Sequence, residues 1–253
     1  MKQTKIIAFA NHKGGVGKTT TTASVGSILS QKGYKVLLID LDAQVNLTES
    51  LISQPIEETI YHALTGLCSS IPVIKLTDNL DITPASEMLA MADIELAGVI
   101  SREKILSRLI ENIKDKYDFI FLDCPPSLGL VTLNAMTAST DIIVPLIAEV
   151  LPFNGLKMIN KFVNLVHNRL NQDAHITGIL LTRWEPTKLS KTTEEDLRKA
   201  VGDKVFQTKI RKNVSIAEAP IEKINIVEYA PKSHGAADYR SFTDELLKRL
   251  MYD

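Results

Sequence analysis

Short runs of consecutive apolar residues alternate along this chain with longer stretches in which apolar positions recur every three or four residues. The short runs fall at 5–10, 35–40, 80–83, 118–123, 141–146 and 176–181, and several are apolar at successive positions rather than at every second one. A strand buried on both faces reads that way, as in a parallel sheet covered by helices. The longer stretches predict helices over 18–32, 101–114, 130–138, 153–170, 192–201 and 237–251, the first closed by Gly33 as a left-handed cap. Strands and helices in such alternation imply repeated βαβ units, hence an α/β fold with a mainly parallel central sheet flanked by helices on both faces. Between 52 and 74 polar and apolar residues mix without a clean period, and a short helix with a mobile connection is expected there. With no Gly/Ser/Pro linker and no internal repeat, residues 1–253 are expected to form a single domain.

Composition narrows the picture without changing it. The formal net charge of -1 and charged fraction of 23% exclude a generally basic nucleic-acid binder, so any such contact must come from a local patch. The amino-terminal stretch MKQTKIIAFANHKGG has only a short apolar run before it turns polar, and no later segment approaches the roughly 20 apolar residues of a membrane span. A cytoplasmic protein is expected. Two cysteines, Cys68 and Cys124, are too few for a disulfide framework or a four-cysteine metal site in one chain. Cys124, following an apolar run, reads as a small buried residue.

The chemistry starts where the first strand, KIIAFA, runs into NHKGGVGKTT and then a helix-forming stretch. Gly14, Gly15 and Gly17 let successive backbone N–H groups of the loop, Val16 included, turn inward, and the following helix presents its positive end to phosphates. Lys18 would reach β- and γ-phosphate oxygens, Thr19 would place its hydroxyl on magnesium, and Thr20 would add an α-phosphate contact. This strand–loop–helix context marks a P-loop NTPase binding ATP and Mg2+. The loop departs from the general G-x-x-x-x-G-K-[ST] form: His12 stands at the first glycine, and a second lysine, Lys13, precedes the glycines.

KGGVGKT is the deviant Walker A pattern, and on it the chain resembles the ParA/MinD family of ATPases, closest to the ParA (Soj-like) partition branch. That resemblance implies that Lys13 reaches across an ATP-dependent homodimer to the partner's phosphates, the alternative being a solvated loop lysine. The second strand runs out as VLLIDLDAQVNLT, placing Asp40 and Asp42 at the carboxyl edge of the sheet, where ligands of open α/β folds bind. Two carboxylates beside a phosphate site suggest magnesium and water handling, although Asp42 could simply cap the next helix. The family segment D-x-D-P-Q-G-N matches Asp40, Asp42, Gln44 and Asn46, while Ala43 and Val45 replace its proline and glycine. By resemblance Asp42 orients or activates the attacking water. A later strand, DFIFLD, ends in Asp123 and continues CPPSLG, similar to the family's Walker B and second switch, so Asp123 is expected to hold magnesium through water.

Residues 183–212 hold nine basic and five acidic side chains, an excess of four positive charges. By charge alone this is either a solvated helix face or a surface for DNA phosphates. The segment KVFQTKIRKNVSIAEAP looks like the stretch in which ParA proteins bind nonspecific DNA, which points to Arg211 and Lys212, with Lys188 and Lys191 as further candidates. The same resemblance puts Asn213 and Pro220 near the adenine base. After Ala219-Pro220 the family often has a glycine two or three residues on, where this chain reads IEKIN.

The leading expectation is a DNA-partition ATPase: ATP closes a homodimer, the dimer binds nonspecific DNA and becomes nucleoid-associated, and a ParB-like protein stimulates slow hydrolysis to release it. With the first strand so early, no N-terminal helix-turn-helix is expected. The alternatives are a MinD-like positioning ATPase anchored by an amphipathic last helix, a redox protein sharing a cluster between two subunits, and a nucleotide-binding scaffold that does not hydrolyse. No membrane association is expected.

Overall fold

A computed structural model describes residues 3–148 and 152–252 of the chain. Eight strands form one sheet: β1 Lys5–Phe9, β2 Val36–Asp40, β3 Ile74–Lys75, β4 Leu80–Thr83, β5 Phe119–Asp123, β6 Asp141–Ile147, β7 His175–Trp184 and β8 Val205–Arg211. Their order across the sheet is β3-β4-β2-β5-β1-β6-β7-β8, parallel throughout except for the two-residue edge strand β3. Strands β2 and β5 are buried at every position, which explains why their sequences read as unbroken apolar runs ending in aspartate.

Eleven α-helices are seen among the described residues: α1 Lys18–Gln31, α2 Asn46–Glu49, α3 Ile60–Thr65, α4 Leu89–Glu95, α5 Ile105–Glu111, α6 Leu130–Ala138, α7 Pro152–Arg169, α8 Lys188–Val201, α9 Val214–Glu218, α10 Ile226–Tyr229 and α11 His234–Tyr252. Helix α1 ends as expected, with Gly33 at φ 89°. The sheet divides two apolar layers. One contains Leu37, Ile39, Ile120 and Leu122 with residues of α3 to α7; the other contains Leu38, Phe121 and Ile143 with α1, α10 and α11. Each fully buried aliphatic side chain in these layers is worth about 1.5–3 kcal/mol of transfer free energy.

Three differences from the sequence reading have local causes. The helix expected over 192–201 begins at Lys188, because Thr187 accepts a hydrogen bond from the Ser190 N–H at 3.1 Å and caps the earlier turn. The helix expected over 101–114 is broken into a short α5 with 3-10 turns at Arg102–Lys104 and Lys114–Lys116. Strand β8 lay hidden in a charged stretch, VFQTKIR, because it is an edge strand. Glu245 of α11 closes that edge, accepting the N–H groups of Gln207 at 2.7 Å and Thr208 at 2.8 Å.

Candidate functional site

The nucleotide-binding candidates converge at the carboxyl ends of β1, β2 and β5, in the middle of the sheet. Register brings Asp40 level with Asp123, and Phe9, the last residue of β1, level with Asp123 on its other side. The loop leaving β1 is held from both flanks. Asn11 donates through its side-chain amide to the Pro145 carbonyl at 2.7 Å and accepts the Lys13 N–H at 3.1 Å, while Thr182 of β7 donates its hydroxyl to the Val16 carbonyl at 2.8 Å. Gly15 and Gly17 take φ of 70° and 87°, the left-handed region that a side chain would resist. Gly17 is the N-cap of α1 and no side chain caps that end, so the first N–H groups of the helix face an open cleft.

The cleft has a volume of about 860 Å³. Gly14, Gly15, Gly17, Lys18, Thr19 and Thr20 form its floor, with Val16 buried beneath. Lys18 is itself buried, and its ammonium donates to the Lys13 carbonyl at 3.3 Å. Burial pulls its pKa down, opposed by Asp123, Cys124 and Asp42 nearby. Lys13 is exposed at the surface and is not part of the cleft wall.

Asp42 enters the cleft from the loop after β2. Its carboxylate accepts the Gln44 N–H at 3.0 Å, so it shapes the turn before α2 and faces the phosphate loop at once. Asp40, fully buried, anchors that turn, accepting the Thr48 N–H at 2.9 Å, the Thr48 hydroxyl at 2.8 Å and the Asp42 N–H at 3.1 Å. Its pKa is pushed up to about 6 because burial outweighs these donors. Asp123 is different. It is completely buried, yet neither carboxylate oxygen completes a hydrogen bond. Burial and then neighbouring Asp40 raise its pKa well above the carboxylate range, against the nearby Thr19 hydroxyl and Lys18. A buried carboxylate without donors is costly unless a cation is brought to it. The donor set of Thr19, Asp42 and Asp123 suits a hard, oxygen-seeking ion such as Mg2+ completed by phosphate and water oxygens.

The far wall comes from the carboxyl-terminal third: Asn213, Pro220, Ile216, Ile224 and Tyr239 line it. Asn213 caps α9 by accepting the Ser215 N–H at 2.9 Å. Arg211 and Lys212 also line the cleft, and both are ion-paired, Arg211 to Asp238 at 2.6 Å and Lys212 to Glu185 at 3.4 Å. Charge counting along the sequence could not foresee this. Arg198 and Lys209 share Glu194, and Lys209 also lies over the Trp184 ring at 4.3 Å, so much of the apparent basic excess is spent inside the fold. Lys188 and Lys191 are placed apart, exposed on the first turn of α8. Two residues of the site escaped the sequence reading. Thr182 and Tyr239 steady the phosphate loop and α1, the latter through a 3.3 Å contact between its hydroxyl and that of Thr21. Such contacts between distant segments leave no local signal.

The family profile described as AAA domain matches residues 4–176. The sporulation initiation inhibitor protein Soj of Bacillus subtilis is 43% identical over 247 residues, spanning 96% of this chain and 98% of that protein. The chromosome-partitioning ATPase Soj of Treponema pallidum is 37% identical over 249 residues, spanning 97% and 98%. Among solved structures, one described as cobyrinic acid a,c-diamide synthase from Mycobacterium smegmatis, with bound ADP and magnesium, superposes with a TM-score of 0.85 at 33% identity, covering 98% of this chain and 96% of that one.

Proposed function

Because this chain belongs to the ParA/MinD family of deviant Walker A P-loop ATPases, we propose that it works as an ATP-driven partition switch whose output is nonspecific DNA binding. It is an ATPase, converting ATP to ADP and phosphate, and its cofactor is Mg2+. The observation that carries the mechanism is Asp123, fully buried beside the open start of α1 with no hydrogen bond completed on either carboxylate oxygen, an arrangement that suits a metal ion brought in with the nucleotide.

Backbone N–H groups from Gly14 to Thr20 cradle the phosphates, and Lys18 meets the β- and γ-phosphate oxygens. Thr19 and Asp42 hold the metal, with Asp123 acting through water. Magnesium, when bound, offsets charge on the β- and γ-phosphates. Asp42 orients the water that attacks the γ-phosphorus; the bond to the β–γ bridging oxygen breaks and the water's proton leaves towards carboxylate or phosphate oxygen. Asn213 and Pro220 contact the adenine. Lys13, exposed beside the cleft, reaches the phosphates bound by a second copy and makes dimerisation depend on ATP.

DNA contact falls to Lys188 and Lys191, with Arg211 and Lys212 nearer the nucleotide. A lysine in the first turn of a helix opposes the helix dipole, so Lys188 and Lys191 are poorly placed for stability and well placed for an external anion. A ParB-like partner would stimulate hydrolysis and release the DNA, giving a cytoplasmic protein that gathers on the nucleoid with ATP. The alternative, a MinD-like membrane or protein-cargo positioning ATPase, is disfavoured by α11: its residues Tyr239, Phe242, Leu246 and Leu250 are buried in the core. No helix among the described residues is long and apolar enough to cross a membrane.

The test of the chemical reading is Asp42→Ala. Turnover should fall at least 100-fold while ATP still binds, since the variant keeps the phosphate loop. Turnover within a few-fold of the parent would remove Asp42 from the reaction.

A further inference from the structure

In the IEKIN stretch after Ala219-Pro220, where the family often has a glycine, the residue in the left-handed conformation is Lys223. It closes the 3-10 turn Ala219–Glu222 at φ 56° and ψ 35°, in the left-handed region. Its N–H donates to the Pro220 carbonyl at 3.1 Å, completing the turn. A side chain is disfavoured in that conformation, and glycine would be accommodated without strain.

The Lys223 ammonium donates to the Ile52 carbonyl at 3.0 Å, across 171 residues of sequence. Ile52 lies three residues past the end of α2, and its own N–H bonds back to the Thr48 carbonyl at 2.9 Å. Thr48 is the residue whose N–H and hydroxyl both hold Asp40. On the other side, Pro220 and Ile224 flank Lys223 and belong to the base-side wall of the cleft, whereas Ser50 and Leu51 beside Ile52 belong to the switch-side wall. One side chain therefore links the two walls.

We propose that Lys223 is a positioning residue for nucleotide: its side chain straps the base-side loop to the end of α2, and bound nucleotide leaves only when that strap opens. The strap also couples release to the Asp42 turn, because α2 and that turn share Asp40 as their anchor. This rests on the nucleotide reading of the cleft, which it deepens.

The experiment is stopped-flow dissociation of mant-ADP and mant-ATP from the full chain with Mg2+, for the parent, K223G, K223M and K223R. Loss of one charge-assisted hydrogen bond at a partly exposed position should speed release about three- to ten-fold in K223G and K223M, while K223R, which keeps a donor of similar reach, stays near the parent. Thermal melting of the apoproteins separates this from a folding role, because K223G relieves the backbone and should melt no lower than K223M even as it releases nucleotide faster. Release from K223G and K223M within two-fold of a parent that binds normally would overturn the strap alone. A parent that binds neither mant-nucleotide would overturn the nucleotide reading, and the strap with it.

Discussion

Val45 offers the sharpest energetic test of the site, because it holds φ 58° and ψ 16° in the turn between Asp42 and α2, where the family segment has glycine. A β-branched residue is rarely found there, and the left-handed conformation costs an L-residue about 1–2 kcal/mol. The turn is over-determined: the Val45 N–H donates to the Asp42 carbonyl at 2.9 Å, its carbonyl accepts the Glu49 N–H at 2.9 Å, and Asp40 is bound to Thr48 behind it. Val45 also packs, half-buried, against the core layer of α3 to α7. Comparing Val45→Ala with Val45→Gly isolates the strain, since both lose the two γ-methyl groups and they differ only in the β-carbon. At an ordinary position glycine is about 0.5–1 kcal/mol less stable than alanine. Here alanine carries the strain and glycine does not, so the order should invert, with Val45→Gly more stable than Val45→Ala by about 0.5–1 kcal/mol. Urea unfolding of the apoproteins measures this as a shift in midpoint at constant slope, and melting should show a difference of about 1–4 °C. An alanine variant as stable as the glycine variant, or more so, would refute the claim that the Asp42 turn is strained.

Two further outcomes follow from particular contacts. Asp93 of α4 accepts the N–H groups of Leu130 at 3.2 Å and Val131 at 3.3 Å, capping α6 from outside, so Asp93→Ala should cost about 0.5–1 kcal/mol in urea unfolding. Replacing Lys188 and Lys191 together by alanine should weaken ATP-dependent DNA binding and lower the slope of log affinity against log salt by about 2, without changing turnover. Unchanged DNA affinity would move the interface elsewhere.

What the sequence revealed and what it hid divide along physical lines. The phosphate loop was legible because its chemistry is local: glycines, Lys18 and Thr19 lie within a few residues, between a strand and a helix that the apolar pattern places. Strands β2 and β5 were legible because both faces are buried, and their aspartates stood out at the ends. Strand β8 was hidden because its neighbours are solvent on one edge and Glu245 from another segment, so its residues are mostly polar. The ion pairing within residues 183–212 was hidden for a related reason: Arg211 finds its counter-ion in Asp238, 27 residues away and visible only in three dimensions. The departures at Val45 and after Pro220 were readable as departures, but their meaning lay in backbone angles.

Control of a DNA-binding state by nucleotide can be measured as binding to nonspecific duplex DNA with ADP, with ATP and Mg2+, and with ATP and Mg2+ in the Lys13→Ala variant, across a salt series. Binding with ATP should weaken steeply as salt rises and be lost with ADP and in the Lys13 variant. Equal binding in both nucleotide states, or none in any state at low salt, would contradict that control.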